Sequence, residues 1–317
     1  MLLLPRSTPL PLLQYQALLS RMPKTHKKYE QISFDAANYS SGHSGEKKMD
    51  YYYDFLPPSV DILHQLLLHS KYNHYRFQID TLLLTPSFAA VLEIKNHAGE
   101  LFFDPHYAQM IRTLEGVTTV FPCPLQQAIR QKFQLASLLK FLKLPPLPIY
   151  THVFVANSFT RISSETPIEQ VSHAAKLPQI VQNWQNEHTK PFLTSKEYNL
   201  LSKYLLANNL PDVKNLIERY QLSAQDIRLG IQCEACQQFA MQRVRGIWKC
   251  PSCSFRSNNA HRKSLEDYIH LNGKTISIKQ AQEWLLLPNP ITAKKILTPH
   301  AKISYKENRT TYYKINL

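Results

Sequence analysis

The chain has 317 residues, 44% of them hydrophobic, with 37 Lys and Arg against 23 Asp and Glu, a formal charge of +14. Its apolar content excludes a disordered chain, and its length exceeds what one core usually fills, about 250–300 residues, so two or three domains are expected. A basic excess of this size points to a polyanionic partner, nucleic acid before an anionic membrane surface.

The opening Met1-Leu-Leu-Leu-Pro-Arg6 is too briefly apolar for a secretory signal, and no membrane span is visible; the expected compartment is the cytoplasm. Residues 1–40 read as an irregular or helical lead-in with a basic cluster at Lys24, His26, Lys27 and Lys28. A helix is predicted over 44–55, with Ser44 as N-cap, Glu46 in the first turn and Pro57-Pro58 as the stop. Apolar, β-rich runs follow at about 60–68, 74–85 and 88–96, with a weaker pair near 99–104 and 117–121. Over 124–143 the pattern turns helical. Pro124 suits the first position, Ala128, Ile129, Phe133, Ala136 and Leu139 form the apolar face, and Gln127, Arg130, Gln131 and Gln134 the other. A buried strand is expected at 149–156, then helices near 176–187, 195–208 and 211–220. Helix, three strands, helix, strand implies an α/β fold, a mixed sheet with helices on its faces.

The chemistry concentrates in Phe77-Gln-Ile-Asp80-Thr-Leu-Leu-Leu and the following Val91-Leu-Glu93-Ile-Lys95. Strand residues two apart share a face, so Glu93 and Lys95 project together, continuing Ala89 and Val91. With Thr85-Pro-Ser-Phe88 as the turn, Asp80 can lie beside them on the neighbouring strand. Two converging carboxylates can hold a hard divalent cation, and a nearby ammonium can orient a water. The bland alternative is two surface carboxylates and an exposed lysine, but so apolar a strand is a poor edge.

Four motifs in this order resemble the PD-(D/E)xK nuclease superfamily and, more closely, its nuclease-related domain family (NERD): Gly42-His-Ser-Gly45-Glu46, Gln78-Ile-Asp80, Glu93-Ile-Lys95 and Pro124-Leu-Gln-Gln127. Ile79 stands where the superfamily's proline would be. The resemblance implies a restriction-endonuclease-like domain over residues 41–160. It implies Asp80, Glu93 and the backbone carbonyl of Ile94 as ligands of Mg²⁺ or Mn²⁺, and Lys95 as the group that positions the attacking water. Glu46 would join through water or bind a second metal, and Gln127 would orient Lys95, water or phosphate. A helical connecting region, 161–230, follows.

Cys233-Glu-Ala-Cys236 and Cys250-Pro-Ser-Cys253 are separated by thirteen residues. Two such knuckles across a short hairpin suit a tetrahedral thiolate site for a structural Zn²⁺, a zinc ribbon over 231–258. Arg243, Arg245, Lys249 and Arg256 stand near to offset its charge, and Cys123 reads as a buried small residue. Over 262–317, a helix at 277–286, the turn Pro288-Asn289-Pro290, a helix at 291–297 and a hairpin at 302–306 and 310–315 resemble a winged helix. Lys294, Lys295 and Arg309 are its candidate phosphate or groove contacts. Together these readings predict a metal-dependent nuclease acting on DNA, with RNA the less favoured substrate. The rival is a non-catalytic DNA-binding or regulatory protein that uses the same fold as a recognition surface. Nucleases that cut both strands often pair, but no oligomer interface is legible.

Overall fold

A computed structural model describes residues 1–308 and 310–316; Arg309, proposed above as a groove contact, lies outside the described residues. The chain divides into two units, Met1–Thr8 with Ser40–Asp212, and Pro9–Tyr39 with the chain from Val213 on.

Strand β1 (Leu2–Leu4), helix α1 (Leu10–Arg21), helix α2 (Tyr29–Lys48) and a single helical turn α3 (Asp50–Tyr53) open the chain. The helix expected to start at Ser44 therefore starts at Tyr29, because no proline interrupts that stretch and Glu30 suits the first turn. Ser44 is an interior residue, not a cap.

The first unit is built on β2 (Asp61–His69), β3 (Arg76–Leu84) and β4 (Ala89–Lys95), an antiparallel meander at the places the apolar runs indicate. Thr85-Pro-Ser-Phe88 turns β3 into β4. The Thr85 hydroxyl accepts from the N–H groups of Ser87 and Phe88 at 3.1 and 2.9 Å, which fixes the turn. A second meander follows: β5 (Glu100–Asp104), β6 (Gln109–Leu114) and β7 (Val117–Pro122). The sequence reading missed β6, whose Gln, Arg and Thr dilute the apolar signal. Helix α4 (Pro124–Phe141) then crosses to β8 (Ile149–Val155), which pairs parallel to β4. Short strands β9 (Arg161–Ser163) and β10 (Val171–His173), helix α5 (Leu177–Glu187) and helix α6 (Ser195–Ala207) complete the unit. A reciprocal capping box between Thr194 and Glu197 starts α6. The main sheet has the order β1-β2-β3-β4-β8-β10, and the smaller one β7-β6-β5-β9.

The sheet is packed on both faces, so β4 is apolar almost throughout. Ala89 and Val91 pack with Ala128, Leu135 and Leu138 of α4 and with Leu201 and Leu205 of α6. Ala90, Leu92 and Ile94 pack with Met49 and Tyr53 and with Leu177, Val181 and Trp184 of α5. One assignment on α4 is reversed. Ile129 and Phe133 are exposed, whereas Gln131 is buried on the sheet side. The inward stripe runs through Leu125, Ala128, Gln131, Leu135 and Leu138, and a carboxylate in the sheet draws the amide of Gln131 inward.

In the second unit, α7 (Leu216–Arg219) is shorter than the helix expected at 211–220. The hairpin β11 (Gln242–Val244) and β12 (Ile247–Lys249) pairs onward to β13 (Arg256–Ser257). Helix α8 (His261–Asn272), strand β14 (Thr275–Ser277), helices α9 (Ile278–Leu285) and α10 (Pro290–Leu297), and strands β15 (Ala301–Glu307) and β16 (Thr310–Ile315) follow. Ser277 and Gln280 form a capping box at α9, while Asn289 caps α10 ahead of Pro290. Strand β16 lies between β14 and β15 in an antiparallel sheet. Tyr15, Leu18, Trp248, Leu265, Trp284 and Ile296 share the core. Within it the fully buried Arg21 pairs with Asp267 at 2.9 Å and stacks on Trp284, its guanidinium 4.2 Å from the ring centre. Among the described residues no helix is long and apolar enough to cross a membrane.

Candidate functional site

A local irregularity sets the position of Asp80. Strands β2 and β3 pair His64 with Thr81 and Leu66 with Ile79, so the ladder passes over Gln65 and Asp80. Gln65 adopts φ 52°, a left-handed conformation that costs a non-glycine residue on the order of 1 kcal/mol. Non-glycine residues held in this conformation gather beside functional sites. Here the Asp80 carboxylate accepts the backbone N–H of Ile94 at 3.0 Å, which binds it to the end of β4.

Glu93 and Lys95 stand next to it. The Lys95 ammonium lies 2.6 Å from Glu93 Oε1, and Gln131 Nε2 donates to Glu93 Oε2 at 3.2 Å. Gln127, one turn before Gln131, accepts from Lys95 at 3.4 Å. Glu93 is 1% exposed, a burial that a carboxylate tolerates only with partners. Helix α2 brings Glu46 alongside. A side chain at Gly45 would meet the Asn96 Cβ at 2.2 Å, so only glycine lets α2 approach the end of β4 this closely.

Arg6, just beyond β1, was not foreseen. Its guanidinium lies 2.5 Å from Glu46 Oε2 and 3.1 Å from both Asp50 Oδ1 and His64 Nδ1, and Gln65 Nε2 donates to Glu46 at 3.1 Å. No motif marks an arginine that is brought in by a strand nearly sixty residues away in sequence from its pairing partner. Gln131 had a signal, since it repeats Gln127 at the four-residue step of a helix face.

Electrostatics tie these groups together. Burial and the charge of Asp80 push Glu46 and Glu93 up to about 7. Burial also raises Asp80, against the pull of Lys95, the Ile94 N–H and Arg6. For Lys95 burial works the other way, but Glu93 and Asp80 outweigh it and its pKa is raised. With Asp50 on the outer side of Arg6, four carboxylates thus face two cations, Lys95 and Arg6, and ionisation of all six leaves two negative charges unmatched. That donor set fits a hard dication. Glu46, Asp80 and Glu93 do not all approach within 4.8 Å of one another; among the described residues only the cysteine cluster does. Arg6→Ala should destabilise this unit by about 3 kcal/mol at pH 8, where Glu46 loses its cationic partner and keeps only the Gln65 hydrogen bond. The loss should be smaller at pH 5.5, where Glu46 is protonated; denaturant unfolding at both pH values checks this.

In the second unit Cys233, Cys236, Cys250 and Cys253 place their sulfurs within 4.8 Å of one another and could hold a metal ion. The Cys233–Cys253 and Cys236–Cys250 sulfurs are 3.6 Å apart. That is far beyond a disulfide, about 2.05 Å, and close to the roughly 3.8 Å between sulfurs around tetrahedral zinc. Each knuckle closes alike: Gln237 N–H donates to the Cys233 carbonyl and Ser254 N–H to that of Cys250, both at 2.9 Å. Gln237 and Ser254 have φ 61° and 63°. Lys294 and Lys295 are exposed on α10, and Cys123 is buried ahead of α4.

No curated protein and no solved structure matches the chain. The family model of the nuclease-related domain matches residues 41–156, the stretch that contributes Glu46, Asp80, Glu93, Lys95 and Gln127. Over those residues the chain carries a nuclease-related domain.

Proposed function

We propose that the protein is a metal-dependent nuclease that hydrolyses phosphodiester bonds in DNA. The reading rests chiefly on Asp80, held by the Ile94 N–H, and the buried Glu93–Lys95 pair beside it, where carboxylates outnumber cations. Asp80, Glu93 and the Ile94 carbonyl would hold Mg²⁺ or Mn²⁺, which when bound supplies a Lewis acid for water and phosphate. Lys95, held between Glu93 and Gln127, would orient the attacking water and stabilise charge building on the phosphate. Arg6 would fix Glu46, and Gln131 would hold Glu93. In the second unit the order helix, strand, two helices and hairpin supports a winged-helix-like module, with Lys294 and Lys295 as contacts to phosphates. The four cysteines would hold a structural Zn²⁺ with no open position for chemistry.

Incubating the full chain with plasmid and linear DNA plus Mg²⁺ or Mn²⁺ tests the reading; the expected product is metal-dependent cleavage. Salt-sensitive DNA binding without any such product would instead leave the domain as a binding surface.

The raised pKa values add a pH test. Glu46 and Glu93 titrate near 7 against an ordinary 4.5, so folding favours their protonated forms. That contribution is full below about pH 4.5 and is lost as pH rises through 7. A dication binds the ionised forms, so Mg²⁺ should raise the unfolding temperature little at pH 5.5 and clearly at pH 8. An equal shift at both values, or none, would count against metal binding by these carboxylates.

A further inference from the structure

A cleft of about 290 Å³ in the second unit is lined by the β11–β12 hairpin, the start of α8 and the end of α10. Arg243, Arg262 and Lys295 contribute three cations, and none of its lining residues is acidic. Arg243 is the unusual member. Its Nη1 is shut off from solvent without a hydrogen-bond partner, and its guanidinium sits over the Trp248 ring, 5.1 Å from the centroid. A buried guanidinium N–H without an acceptor is costly unless something supplies one. Helix α8, twelve residues long, starts here without a side-chain cap and without an acid in its first turn, so its positive end is unopposed.

A chain of hydrogen bonds supplies a further donor. Trp248 Nε1 donates to His261 Nδ1 at 3.1 Å, so neutral His261 carries its proton on Nε2. That nitrogen lies 3.2 Å from His300 Nε2, which must accept, leaving the His300 proton on Nδ1. Burial and the surrounding cations lower His261 to about 4, consistent with the neutral form.

We infer that this cleft is a phosphate-binding site, and that the phosphates it takes are those of a nucleic-acid backbone. Three cations, an uncapped helix start and an orphaned guanidinium N–H suit an oxyanion with several acceptor oxygens. The inference rests on the nuclease reading only for the source of the phosphate, since the cleft lies apart from the carboxylate site in sequence and chemistry.

Titration of the full-length protein with inorganic phosphate, followed by the indole N–H resonances of its three tryptophans, tests the site. Phosphate should shift the Trp248 signal, and the exposed double change Arg262→Gln, Lys295→Gln should abolish the shift at unchanged zinc content. The same variant should bind a short DNA duplex without Mg²⁺ about tenfold more weakly at low salt, with the salt slope reduced by about two. A shift by phosphate with duplex binding and slope unchanged would keep the anion site and overturn the backbone as its ligand. No shift and an unchanged slope would overturn the site altogether. Loss of DNA cleavage in the carboxylate variants bears on neither result, so the two readings fail separately.

Discussion

Asp80→Asn and Lys95→Ala should each lower Mg²⁺-dependent DNA cleavage by at least about 10²–10³-fold, the scale on which one preorganised electrostatic group contributes. The two variants should differ in stability. Removing Asp80's charge relieves the repulsion that raises Glu46 and Glu93, so metal-free Asp80→Asn should unfold at higher temperature than the parent at pH 8. Lys95→Ala removes the partner 2.6 Å from a carboxylate that is 1% exposed, and should unfold at lower temperature. Initial cleavage rates together with melting curves at pH 8 check both. Cleavage that persists unchanged in the two variants would remove the assignment, and a destabilised Asp80→Asn protein would contradict the account of the charges.

Changing Cys233 and Cys250 to serine should empty the four-cysteine centre and disorganise the second unit. Both residues are fully buried and belong to the same core as Trp248, Met241 and Leu265, so the centre is part of the packing. Structural zinc contributes about 10–16 kcal/mol in isolated zinc-finger peptides, which rivals the whole stability of an ordinary domain, about 5–15 kcal/mol. The parent protein should carry one zinc per chain by elemental analysis. The double variant should carry almost none and lose the near-ultraviolet circular dichroism of its tryptophans. A parent protein that folds without zinc would refute the centre.

The strands of the first unit were legible because their signal is local. β2, β3, β4 and β8 fall where continuous apolar runs end at Pro, Ser or Asn, and a sheet packed on both faces produces such runs. Glu93 and Lys95 were legible for the same reason, since strand periodicity alone puts them on one face. Arg6, His64 and Gln65 were not. They reach the carboxylates through a parallel pairing of β1 with β2 and through one left-handed residue, neither of which leaves a local pattern. Hydrophobicity is a poor guide to the inner face of α4. Exposed Phe133 instead packs edge-on against Tyr72, while Gln131 turns in toward Glu93.

The interleaving of the two units bears on how the protein is made. Residues Met1–Thr8 must wait for β2 to leave the ribosome before β1 has a partner, and Pro9–Tyr39 must wait for the chain from Val213 on. Nascent chains shorter than this hold an amphipathic α1 whose partner α8 has not been synthesised, an exposed surface suited to chaperone capture. A fragment cut to residues 41–156 would discard both β1 and Arg6, so its failure to fold or cleave would say nothing about the intact protein.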